Sequence, residues 1–425
     1  MEAVMIQAYE VRGNEFFIGN ISAKKLVEEF GSPLYVYNEA VIRDRYRRLF
    51  ESIGYSKKRI HYAMKANSNI RILQILEKEG AYIDAVSKEE VMIALKANYP
   101  AQRILFTGIN LKPEDMKYAF ENGVQLNLGS INQLKLYGEL YPGSSVSIRI
   151  NPDMGAGHHD HVITGGKESK FGIFYSADDK CDLDEIPEIL KKYRLRLSGI
   201  HAHIGSGILD EKKYVHLMEV ILNIAKKFPN LDFIDIGGGI GVPYKPGERI
   251  FNLKSFGKDT DELMRNFVSI YNSEPYLAIE PGRYLIAEAG IFLVTVTDIK
   301  DTPVYHFAGV DSGFNHLIRP MAYGSYHHII NVSNPEKEPI PVVVSGYICE
   351  SGDVFTRTER GIEARQIPDP EVGDILAILN AGAYGYAMAS NYNSRPRPAE
   401  VLITGGEARL IRKRETIENL LSTQV

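Results

Sequence analysis

From about residue 60 to 283, short apolar runs alternate with longer stretches that are apolar on one face only. Eight runs have strand character: IHYAMKAN, AYIDAVS, ILFTG, VQLNLGS, VSIRINP, LSGIHAHIG, LDFIDIGGG and YLAIEPGR. The segments between them have helical period; in YVHLMEVILNIAKKF, Leu217, Ile221 and Ile224 fall at i, i+4 and i+7 on one face. Eight strand–helix units over roughly 225 residues predict a (β/α)8 barrel. Periodicity does not show that a sheet closes, so a doubly wound open sheet is the alternative.

The pattern changes after Arg283. IFLVTVTDIKDT, VYHFAGVD, PIPVVVSGYICESGD, DILAILNAGAY and EVLITGGEARLIRKR are strand-like and separated by Pro, Gly and Asp turn signals. MIQAYEV and EFFIGN near the N-terminus are short apolar runs of the same kind. The predicted fold class is α/β, a TIM-like barrel with a second, mostly β-barrel or sandwich domain. The predicted division is 34–283 for the barrel, with 1–33 and 284–425 forming the β domain.

Charge and composition remove several function classes. Lys and Arg number 49 against 54 Asp and Glu, a net charge of −5, so no basic excess points to nucleic acid or a membrane surface. The two cysteines, Cys181 and Cys349, are too few for a disulfide framework. The first 20 residues lack a basic segment followed by an apolar stretch, and no apolar run reaches the length of a membrane span. A soluble cytoplasmic protein is expected.

Barrel active sites form at the C-terminal ends of the strands, so the polar residues there carry the candidate chemistry. Alternation through IHYAMKAN places Lys65 with Ala63, opposite Tyr62 and Met64, and turns it toward the barrel mouth if the bulky face packs on helices. Taken alone, Lys65 reads as a solvated charge at a strand end. His201 and His203 share a parity and precede Gly205, Ser206 and Gly207. Gly237, Gly238 and Gly239 end another strand, either as a phosphate cradle or as a tight turn. Val242 stands where the third glycine of a dinucleotide fingerprint would fall, so a smaller phosphorylated cofactor fits better. Pro281 and Gly282 separate a carboxylate, Glu280, from a guanidinium, Arg283. A lysine can hold pyridoxal phosphate covalently, a carboxylate can keep its ring nitrogen protonated, and glycine N–H groups can hold its phosphate. Asp84, Glu90, Arg149, His201 and Asp235 are read as supporting hydrogen-bond partners or as ordinary structural polar groups. His158, His159 and His161 lack the spacing of a completed metal site, so no metal is expected, and their glycine-rich segment is read as a loop over the active site.

The motifs PLYVYNE, HYAMKAN, SKFGI, HIGSG, IGGGIG, EPGRY, RPMAYGSYH, CESGD and GAYGYAMASNYN occur in this order along nearly the whole chain. In this the sequence resembles the pyridoxal-phosphate decarboxylases built on an alanine-racemase-like barrel, within them the branch acting on meso-diaminopimelate. The resemblance implies pyridoxal 5'-phosphate joined to Lys65, with His203 against its ring and Glu280 on its ring nitrogen. It implies a phosphate site of Ser206, the Gly237–Gly239 loop, the Glu280–Arg283 turn (with Pro281 and Gly282) and Tyr384. It also implies a homodimer in which Cys349, the proton donor, and Glu350 complete the partner's site. The residue-level alternative for Cys349 is a small buried hydrophobe.

Substrate choice follows from the distal end. Diaminopimelate ends in an ammonium and a carboxylate, and so needs a carboxylate and a guanidinium together. Arg319 and, four residues on, Tyr323 can grip a carboxylate with Arg283 and Tyr384, while Glu350 receives the ammonium. Arg319 also reads as a plain surface or interface arginine. The expected reaction is decarboxylation of meso-2,6-diaminopimelate to L-lysine; the alternative substrates are ornithine, lysine, arginine or a carboxylated polyamine.

Overall fold

The computed structural model describes residues 5–155, 164–175 and 182–425. The chain divides into two compact units, one of Tyr46–Val242 with Arg249–Tyr284, the other of Met1–Arg45 with Pro243–Glu248 and Leu285–Val425.

In the first unit eight parallel strands form a ring: Lys58–Ala63, Tyr82–Ala85, Ile104–Phe106, Gln125–Leu128, Ser145–Asn151, Arg196–Ala202, Phe233–Asp235 and Tyr276–Ile279. Each pairs with the next in sequence, and Tyr276–Ile279 returns to the first strand in the register Leu277 to Lys58. That pairing closes the barrel and rules out the open sheet. All eight predicted runs contain a strand. Their apolar, β-branched character suits strands covered on both faces, as a parallel barrel requires. The helix Glu211–Ala225 shows the matching logic outside the sheet. Leu217, Ile221 and Ile224 are fully buried, and the Asp210 side chain caps the helix by accepting from the Lys212 N–H.

Several strands end sooner than the apolar runs do. The first stops at Ala63, and Lys65 lies on a single 3-10 turn, Met64–Ala66. Strand alternation therefore does not set the direction of Lys65; the turn after the strand does. His203 and Gly237 likewise follow the ends of their strands.

The second unit is built on a nine-stranded sheet. Its long strand Gly290–Asp301 pairs antiparallel with Leu34–Asn38, Ile375–Ile378 and His306–Val310. Leu34–Asn38 also pairs in parallel with Ala399–Thr404. The predicted barrel start at residue 34 thus differs from the observed division, because the backbone of 34–38 is hydrogen-bonded into this other sheet. The N-terminal strands Tyr9–Arg12, Glu15–Ile18 and Ile21–Ser22 form a small antiparallel meander in the same unit. Among the described residues no helix is long and apolar enough to cross a membrane.

Candidate active site

Parallel register sets a polar layer inside the barrel. His201 pairs with Arg149 on one side and with Asp235 on the other, so three strands place polar side chains at one level. His201 Nε2 lies 2.9 Å from Glu280 Oε2, and both residues are buried. The other oxygen, Oε1, is buried with no hydrogen-bond partner among the described residues. Burial raises the Glu280 carboxyl, but the His201 charge and hydrogen bond, with Lys65 and His203, hold it well below the ordinary carboxylate range. Burial and the neighbouring Glu280 push Asp235 well above that range, and its Oδ1 accepts the Gly237 N–H at 2.8 Å. The two acids are thus shifted in opposite directions.

Lys65 Nζ is 3.1 Å from Asp84 Oδ2; the lysine side chain is 39% exposed and the aspartate is buried. His203 is half-buried, and its Nδ1 accepts the Gly238 N–H at 3.1 Å. Burial, then the Arg149 and Lys65 charges, keep its pKa well below 6.5, so the ring is neutral at pH 7. Arg149 is buried with its guanidinium 4.5 Å from the Phe171 ring centre, and burial lowers it to about 10. Glu90 accepts the Val86 N–H at 2.8 Å, and burial raises it to about 7.

The glycines following Phe233–Asp235 are needed for close approach. A Cβ on Gly238 would stand 1.8 Å from the Glu280 carbonyl oxygen, and one on Gly239 would stand 2.0 Å from that of Gly205. Beside them Arg283 Nη2 donates to Ser206 Oγ at 3.0 Å. Pro281 accepts the Ala63 N–H at 3.3 Å, which ties the Glu280–Arg283 turn to the end of the lysine strand. Gly282 sits against Ala63 and Ala66.

In the second unit Arg319 and Tyr323 are the first and last residues of one short helix, and Arg319 is buried. Its Nη1 donates to the Tyr244 hydroxyl at 2.7 Å and its Nη2 to Ser325 Oγ at 3.2 Å. Cys349 and Glu350 are exposed on a turn whose scaffold is Asp353. The Asp353 carboxylate accepts the N–H groups of Phe314 and Ile348, each at 2.6 Å. Exposure removes the reading of Cys349 as a buried hydrophobe. The Cys349 N–H donates to Asn393 Oδ1 at 2.9 Å, and Tyr392 donates to Glu350 at 2.6 Å. Tyr384 is half-buried with φ 58°, a conformation costing of order 1–3 kcal/mol for a side chain other than glycine and often found at functional sites.

Sequence reasoning missed His61, Tyr244, Asp353 and Tyr392. His61 gave a signal, standing four residues before Lys65 on the strand that leads to it. Its Nδ1 lies 3.8 Å from Asp235 Oδ2, and possible ligand atoms of His61, Asp235 and Glu280 fall within 4.8 Å of one another. His201 and the Gly237 amide already engage the two acids, so the group reads as the polar floor of the barrel. His158, His159, His161 and Cys181 lie outside the described residues.

The barrel residues fit pyridoxal phosphate. An accessible lysine side chain, a buried carboxylate oxygen lacking a hydrogen-bond partner among the described residues, and a glycine turn beside an arginine and a serine match its aldehyde, ring nitrogen and phosphate. The family described as "Pyridoxal-dependent decarboxylase, pyridoxal binding domain" matches residues 39–287. The diaminopimelate decarboxylase of Methanothermobacter thermautotrophicus is 43% identical over 423 residues, 96% of this chain and 95% of that one. That of Escherichia coli K12 is 38% identical over 415 residues, 94% and 96% of the two chains. The crystal structure of diaminopimelate decarboxylase from M. jannaschii in co-complex with L-lysine superposes with a TM-score of 0.89 at 34% identity, over 98% of both chains. Matched over residues 39–287 by that family and over nearly its whole length by these relatives, the chain belongs to the pyridoxal-dependent decarboxylase family.

Proposed function

We propose that the protein decarboxylates meso-2,6-diaminopimelate to L-lysine and CO2. The observation that carries the chemistry is the Glu280 carboxylate, with one oxygen bonded to His201 and the other buried without a hydrogen-bond partner among the described residues. The substrate is supported by the diaminopimelate decarboxylases that resemble this chain over nearly its whole length.

Lys65 would hold the cofactor aldehyde, and Glu280 Oε1 would accept the ring N–H in a charge-assisted hydrogen bond. His203, neutral and oriented by the Gly238 amide, would lie against the ring without opposing its charge. Ser206, Gly237–Gly239, Arg283 and Tyr384 would hold the phosphate. When bound, pyridoxal phosphate supplies an electron sink for the charge left by loss of CO2. Cys349 is the proton donor to the substrate carbon. Arg319 and Tyr323 grip the distal carboxylate, and Glu350 takes the distal ammonium. Cys349 and Glu350 act in the partner's site of a homodimer, and the enzyme works in the cytoplasm.

The test is CO2 release from meso-diaminopimelate beside L-ornithine, L-lysine and L-arginine. Diaminopimelate should be turned over best. Faster turnover of one of the others would reassign the substrate.

A further inference from the structure

Tyr244 belongs to a segment, Pro243–Glu248, that follows the glycine cradle in sequence yet packs with the second unit. Its conformation is tied down from several directions. Glu248 accepts the N–H groups of both Tyr244 and Lys245, at 2.7 and 3.2 Å, and Asn380 Nδ2 donates to the Pro243 carbonyl at 3.0 Å. His327 meets the Tyr244 ring edge-on, with ring centres 5.2 Å apart.

So fixed, Tyr244 engages Arg319 twice. Its hydroxyl accepts from Nη1 at 2.7 Å, and its ring centre lies 4.8 Å from the guanidinium carbon. Ser325 Oγ accepts from Nη2 at 3.2 Å. A guanidinium carries its N–H donors in a rigid planar fork, so bonds at both terminal nitrogens set the plane of the whole fork. A buried arginine held in this way presents its N–H donors in a fixed plane.

We propose that Tyr244 is a positioning residue for substrate specificity, orienting Arg319 toward the distal carboxylate of the amino-acid substrate. This rests on the reading of Arg319 given above. The distal carboxylate survives decarboxylation, so the product L-lysine should sense Tyr244 as the substrate does. 1,5-Diaminopentane, which lacks that carboxylate, should not.

The experiment compares Tyr244→Phe, Ser325→Ala and Arg319→Ala as holoenzymes. Tyr244→Phe keeps the ring and removes one hydrogen bond to a charged group, so KM for meso-diaminopimelate should rise about tenfold. The inhibition constant of L-lysine should rise by the same factor, while that of 1,5-diaminopentane and the cofactor absorbance stay at wild-type values. Ser325→Ala should move the same two constants in the same direction, and it carries the test if Tyr244→Phe does not fold. An unchanged KM in both hydroxyl variants, with KM raised in Arg319→Ala, overturns the positioning role alone. Equal weakening of L-lysine and 1,5-diaminopentane makes Tyr244 merely structural and also overturns it. An unchanged KM in Arg319→Ala overturns the reading of Arg319 and the inference with it.

Discussion

His201 and Glu280, 79 residues apart in sequence, meet inside the barrel with Nε2 2.9 Å from Oε2. The contact fixes which carboxylate oxygen faces away from the imidazole, and it helps keep Glu280 ionised in a buried place. In His201→Phe the Glu280 pKa should rise toward and beyond its ordinary value, because burial then acts with less opposition. The acid limb of kcat/KM should move to higher pH by about one unit or more, with activity at pH 7 down ~10–100-fold. A pH–rate profile recorded with cofactor absorbance checks this. An unmoved acid limb with normal absorbance would count against it.

His61 makes stability depend on pH. Burial lowers its pKa from 6.5 to about 4, so between these values the unfolded chain binds a proton that the folded chain does not. Stability is therefore lost as pH falls through that window, by roughly 3 kcal/mol for the full shift. His203 and His316, also lowered, act in the same sense. Thermal unfolding between pH 7 and 4 should show a falling Tm, and His61→Phe should flatten the slope.

Glycine at 239 is required by both φ and space. Gly239→Ala combines φ 102° with a Cβ 2.0 Å from a carbonyl oxygen. It should destabilise by several kcal/mol, on the order of 3 or more, and lose cofactor. Gly247→Ala, at φ 77° with nothing within 4 Å, should cost about 1 kcal/mol and retain the cofactor absorbance. Chemical unfolding and cofactor titration of both variants decide the point.

If Cys349 serves the partner's site, two dead variants should rescue one another. Lys65→Ala and Cys349→Ala should each lose at least ~99% of activity, the lysine variant losing cofactor absorbance as well. Dissociated, mixed and reassembled, they should regain about a quarter of wild-type activity, since half the dimers then carry one intact site. No recovery in verified mixed dimers would place Cys349 in its own subunit's site.

Asp353 should matter although it touches no reacting group. In Asp353→Asn one backbone N–H of the pair from Phe314 and Ile348 faces an amide NH2 in place of an oxygen. The turn carrying Cys349 and Glu350 should loosen at a cost of ~1–3 kcal/mol. A drop in kcat with cofactor affinity unchanged is the expected pattern.

Much of this was legible in the linear pattern. Leu217, Ile221 and Ile224 announced a helix face because helical period is local, and the eight strand runs announced themselves by apolar, β-branched composition. Lys65 and Glu280 were legible through the motifs around them, whereas parity misdirected the argument for Lys65, whose strand ends two residues earlier. The predicted barrel domain took in Leu34–Asn38; only its partners, Gly290–Leu293 and Ala399–Ile403, show which sheet it joins.

The sequence by itself determined the elements, their order and the residue types able to hold a phosphorylated aldehyde cofactor, since these depend on near neighbours in the chain. Tertiary structure decided that the barrel closes, through the pairing of Leu277 with Lys58. It also decided that His201 holds Glu280 low while burial raises Asp235 beside it, and that Tyr244 carries the hydroxyl meeting Arg319. Strand partners, local dielectric and hydrogen-bond geometry are set by groups brought together from distant positions, and no local pattern encodes them.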